Sequence, residues 1–118
     1  MNIATKDRWA SLYYRTAEST DRHPDAPHPS DDFYHITAVP TADMGANPEA
    51  VAQAFAELTL SPLWYKQGRR MAGIGDVFTY NSEVWQFVDP EAVCDSAVTT
   101  LFGLPFLGIV RVQEKEHG

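Results

Sequence analysis

The sequence holds a single cysteine, Cys94, among 118 residues, so an internal disulfide framework is excluded and a reducing compartment is the natural setting. No apolar run approaches the roughly 20 residues that a bilayer-spanning helix requires. Residues Met1 to Arg8 lead into no apolar signal-peptide core. A cytoplasmic location without membrane association is therefore expected. Positive charge is also scarce: 9 Lys and Arg stand against 16 Asp and Glu, for a net charge of -7. The shortage is regional. From Asp31 to Tyr65 the charged residues are Asp31, Asp32, Asp43, Glu49 and Glu57, with no Lys or Arg, and from Met71 to Val110 they are Asp76, Glu83, Asp89, Glu91 and Asp95, again with none. Between the two acidic spans sits a compact basic group, Lys66, Arg69 and Arg70. Direct nucleic-acid binding draws on many cations at phosphates, which this distribution does not supply over most of the surface. A partner protein with a basic surface is the more natural match.

Catalytic and cofactor signatures are missing as well. Gly73-Ile74-Gly75-Asp76 has neither the G-x-G-x-x-G spacing nor the lysine of a phosphate loop. Its simpler reading is a sharp entry into a strand at Gly75, with Asp76 bonding nearby backbone amides. His23, His28 and His35 lie near Asp21, Asp25, Asp31 and Asp32, but their spacing fits no metal-ligand pattern. Cys94 has acids, Glu91 and Asp95, as neighbours and no histidine close in sequence, which suits a small buried apolar residue better than a nucleophile. No catalytic residue, metal site or cofactor is assigned, and a non-enzymatic role is expected.

What the chain does have is a pattern of strands and turns. Val77 to Tyr80 and Glu83 to Val88 are β-rich runs separated by Asn81-Ser82, which predicts a hairpin with Thr79 opposite Val84 and Phe78 opposite Trp85. One face would carry Phe78, Tyr80, Trp85 and Phe87, and the other Val77, Thr79, Val84 and Val88. Two apolar faces place such a hairpin inside the fold. Phe33 to Val39 predicts a strand ending at Pro40. Asn47-Pro48-Glu49 predicts a helix start, with Val51, Ala54, Phe55 and Leu58 on one face as far as about Leu60. Asp89-Pro90-Glu91 repeats that signature and predicts a second helix through Val93, Ala97 and Leu101 to Gly103, against which the β-branched Val98, Thr99 and Thr100 argue. Phe106 to Gln113 predicts a strand. Trp9, Leu12 and Tyr13 suggest a helix over residues 9–17, although Trp9, Ser11 and Tyr13 also alternate as in a strand. Residues 18–32, with Pro24, Pro27 and Pro29, read as a flexible loop. These elements predict one α+β domain, a mostly antiparallel sheet of about four strands covered by one or two helices.

The path from Phe33 to Val88 resembles a family of small proteins found in actinobacteria, their phages and mobile elements, similar to the YodL-type domains of conjugative elements. Members carry a segment close to R-S-M-S-V-G-D-V-V, then a turn and a returning strand. Arg70, Ile74, Gly75, Asp76 and Val77 match it, whereas Met71 and Gly73 replace the usual serines. The resemblance implies a phage or mobile-element setting, in which a small acidic protein that binds and inhibits or redirects a host protein is expected. A DNA mimic that blocks a nucleic-acid-binding host protein is the alternative, motivated by the spans without Lys or Arg. The candidate partner-binding residues are Trp64, Tyr65, Lys66, Arg69 and Arg70, which bring hot-spot residue types together in a connection between elements.

Overall fold

In the computed structural model the described residues are 9–16, 33–41, 47–91, 96–99 and 105–112. They form β1 (Trp9–Arg15), β2 (Phe33–Pro40), α1 (Pro48–Thr59), α2 (Pro62–Lys66), β3 (Val77–Tyr80), β4 (Glu83–Val88), β5 (Ser96–Thr99) and β6 (Pro105–Arg111). The strands make one six-stranded sheet in the order β2-β1-β3-β4-β6-β5, and every neighbouring pair is antiparallel. The domain is α+β as expected, with six strands where about four were expected. No helix among the described residues is long and apolar enough to cross a membrane.

Both extra strands come from segments with a helical reading. Over residues 9–15 the large residues Trp9 and Tyr13 suggest a helical stripe, but the inward positions are Ala10, Leu12 and Tyr14, all essentially inaccessible. A small Ala in the inward row hides a two-residue period, and Trp9 remains 43% exposed on the other face. The second helix, expected through Ala97, gives way to β5, because Val98 and Thr99 favour a pleated strand and Leu107 and its neighbours in β6 offer a partner edge. The signature that suggested a helix start makes a local turn, in which the Asp89 carboxylate accepts the Glu91 N–H at 2.9 Å. Cys94, the loop at 18–32, His23 and His28 lie outside the described residues.

The central hairpin follows its sequence closely. Phe78 pairs with Trp85 and Thr79 with Val84, and both turn residues have positive φ, 50° at Asn81 and 65° at Ser82. That conformation matches the twist of the strands it joins. β3 and β4 lie in the middle of the sheet, so Val77, Phe78 and Thr79 are buried on both faces. Helix α1 begins where expected: Asn47 Oδ1 accepts the Ala50 N–H at 2.8 Å, Pro48 occupies the first turn, and Glu49 complements the dipole. Its buried residues Val51, Ala52, Phe55 and Ala56 join Leu12, Phe78, Phe87 and Ile109 in one core, with Phe55 and Phe78 rings 6.1 Å apart. A second cap-and-proline start follows at once. Ser61 Oγ accepts the Leu63 N–H at 3.3 Å and Pro62 opens α2, so the connection that carries Trp64 to Arg70 begins with a short helix.

Positive φ at Ser82 is an unfavourable conformation for a side chain with a Cβ. The variant Ser82→Gly should raise stability by roughly 0.5–1 kcal/mol, the αL penalty less the extra chain entropy of glycine. Urea unfolding followed by tryptophan fluorescence measures the difference.

Candidate functional site

The basic group divides into an inner and an outer part. Arg70 belongs to the inner part. It pairs bidentately with Asp76, through Nη1 to Oδ2 at 2.6 Å and Nη2 to Oδ1 at 2.7 Å. The same carboxylate accepts the Arg15 N–H at 2.9 Å and the Gly73 N–H at 2.8 Å. Asp76 is thus buried with both oxygens engaged twice, which uses the acceptor capacity of a carboxylate and suits a structural role. One side chain thereby joins β1, the corner at residues 70–74 and the start of β3. Gly75 completes the corner. Its φ is 97°, and a Cβ there would lie 3.2 Å from Arg15 Cδ, so both conformation and space call for glycine.

A second layer locks Arg70 from the other side. Its guanidinium carbon lies 4.0 Å from the centroid of the Tyr14 ring, a cation–π contact. The Arg70 carbonyl accepts both the Tyr14 O–H and the Trp64 Nε1–H, the latter at 2.9 Å, and Trp64 Nε1 also reaches the Tyr14 oxygen at 3.0 Å. Trp64 therefore points inward and is buried. Nearby, Ala72 donates its N–H to Thr59 Oγ1 at 3.0 Å, which fastens the same corner to the end of α1.

The outer part is formed by what these anchors leave exposed. Leu63 and Tyr65 flank Trp64 and are 69% and 82% exposed. Leu60, Met71 and Ile74 are exposed beside them in sequence or across the anchored corner. Lys66 and Arg69 are exposed as well. Arg69 lies 4.8 Å above the Trp64 ring centroid. Of the five residues singled out in the sequence, the structure turns Trp64 and the Arg70 guanidinium toward the scaffold, and Tyr65, Lys66 and Arg69 toward solvent. Leu60 and Leu63 were missed. Their signal was present, since each lies a few residues from the inward Trp64 in a segment with two helix starts, but a leucine's exposure depends on what packs around it.

Among the described residues no group of His, Cys, Asp and Glu could hold a metal ion. His35 is exposed on β2, with its ring edge-on to Tyr13 at 5.2 Å.

The inner cluster carries two predictions. Asp76→Ala strands two amides and the guanidinium and should cost roughly 3–5 kcal/mol, with Arg70→Lys losing less because one charge remains without the bidentate fork. Denaturant titration ranks the two. The second concerns alkaline pH. Burial is the main cause that pushes the Tyr14 phenol above its ordinary 10.0, and the hydrogen-bonded Asp76 raises Arg70 above its own usual range. Both groups hold their protons more tightly folded than unfolded. Their contribution is complete below the unfolded values and is lost as pH rises through the folded ones. Stability should therefore fall above about pH 10, and Tyr14→Phe should flatten part of that fall when unfolding is measured across the range.

Against protein-family models, curated proteins and solved structures the chain gives no match.

Proposed function

We propose that this chain is a non-enzymatic accessory protein of a phage or mobile element that binds a host protein, and inhibits or redirects it, through the corner formed by α2 and the residues after it. The observation that carries the reading is the division of residues 63–70. Trp64 and Arg70 are held from within by Tyr14 and Asp76, while Leu63, Tyr65, Lys66 and Arg69 face solvent. An exposed tyrosine and arginine on a rigid support match the composition and the preorganisation of binding hot spots. The mobile-element setting comes from the resemblance of Arg70 to Val77, and three of the matching residues, Arg70, Gly75 and Asp76, are those that build the corner.

The DNA-mimic alternative asks for acids in a dense row. Asp76 is internal and Glu83 is held by Arg111 at 2.8 Å. Glu49 and Glu57 on α1, with Asp89 and Glu91 after β4, are the described acids left for such a surface. No described row of acids favours that reading over the corner.

An affinity purification from host lysate tests the proposal. Wild-type protein should recover a specific partner, and Tyr65→Ala with Arg69→Ala should reduce its recovery by roughly tenfold or more at unchanged melting temperature. Equal recovery by the folded double variant would remove the corner as the binding site.

A further inference from the structure

The proposed binding corner differs in charge from the rest of the protein, and that difference defines what can dock there. The chain carries a net -7, yet Lys66 at the end of α2 and Arg69 three residues later are both exposed at the corner, and neither has a carboxylate partner among the described residues. Arg70, the third cation, shows the contrast, since its charge is matched by Asp76. The same segment carries the exposed apolar residues Leu60, Leu63 and Tyr65.

We infer that the segment docking at this corner is an acidic and apolar stretch of a partner protein, whose carboxylates meet Lys66 and Arg69 while its apolar side chains cover Leu63 and Tyr65. The inference rests on the binding role proposed above and replaces, at this surface, the basic partner that net charge alone suggests. Arg69 is prepared for a carboxylate. Its guanidinium carbon lies 4.8 Å over the Trp64 ring centroid, a contact that positions the charge, and a guanidinium presents N–H donors in a fork that suits a carboxylate. Leu63 and Tyr65 supply area that is exposed in the free protein and leaves water on contact.

Two other anionic surfaces fit less well. An anionic membrane gains about 1 kcal/mol per nearby Lys or Arg, and two such residues face repulsion from the net charge of -7. Nucleic acid binding draws on many phosphate contacts, and two cations provide few. A protein segment can place one or two carboxylates at the cations and direct its remaining charge away, so it meets the positive corner without confronting the acidic surface.

The test uses a random-sequence peptide display library selected on the wild-type protein, with counter-selection on the Leu63→Ser/Tyr65→Ser double variant. Circular dichroism and thermal melting confirm that the variant is folded, as substitution at such exposed positions should allow. The expected peptides bind only the wild type and place Asp or Glu beside Leu, Phe or Trp. Synthetic copies should lose roughly tenfold or more in affinity against Lys66→Glu/Arg69→Glu and weaken as salt is raised. Corner-dependent peptides that are basic or uncharged would overturn the inference while leaving the corner as a docking site. Failure to recover any corner-dependent peptide would overturn the docking role itself. Wild-type binding to phosphatidylserine vesicles that the Leu63→Ser/Tyr65→Ser variant loses would give the corner to a membrane. A concentration-dependent dimer in sedimentation, abolished by the same variant, would give it to a second copy of the chain.

Discussion

The buried carboxylate of Asp76 is the constraint on which the corner depends. It accepts two backbone amides from different parts of the chain, Arg15 in β1 and Gly73 in the corner, together with both terminal nitrogens of Arg70. A carboxylate taken from water at this depth is tolerated only when its acceptor sites are filled. Here the groups that fill them are also the ones whose positions define the fold. The strand β1 is thereby fixed against the entry to β3, and the sheet continues from there: Gly75 donates to the Phe87 carbonyl and Phe87 donates to the Asp76 carbonyl, at 2.8 and 2.9 Å. The ion pair is half open to solvent on the arginine side, where the side chain is 47% exposed, so its Coulombic part is screened. The larger share of its worth is the avoided cost of leaving the buried Arg15 amide and the half-buried Gly73 amide without a partner.

That inner cluster explains how a short connection can present a defined surface. A five-residue helix is unstable by itself, because nucleation fixes several dihedrals for few hydrogen bonds. Helix α2 is held by Ser61 at its start and by Trp64, whose indole N–H is shared between the Tyr14 hydroxyl and the Arg70 carbonyl. Once Trp64 is fixed, the neighbours on either side of it, Leu63 and Tyr65, must diverge from the core. The exposed apolar groups are a geometric consequence of anchoring the tryptophan. Their ordering cost is met by the scaffold itself, the condition on which the proposed docking would draw.

Parts of this arrangement were legible in the residues. The hairpin from Val77 to Val88 and the start of α1 were, because a turn dipeptide, alternating strands and a cap-proline-acid start are local devices whose partners lie within a few residues. The role of Asp76 as an acceptor of nearby amides was legible for Gly73, three residues away. Its bonds to Arg15, 61 residues earlier, were not. Nor did Trp64 declare its direction. Its residue type suggested a contact, and the Tyr14 hydroxyl, 50 residues away, together with the Arg70 carbonyl makes it an anchor. The two strands misread as helices failed for a related reason. Small Ala10 at an inward position concealed the alternation in β1, and the value of β5 lies in an edge of β6 that pairs with it.

The sequence by itself determined the α+β class, the hairpin register, the first helix and the uneven charge, since each depends on side-chain chemistry acting over short distances or on composition alone. Tertiary structure decided the number of strands, the burial of Trp64, and the exposure of Leu63, Tyr65, Lys66 and Arg69. These depend on which distant segments meet. Whether a tryptophan is covered is a property of the neighbours that folding brings to it, and for Trp64 the Tyr14 hydroxyl comes from 50 residues away.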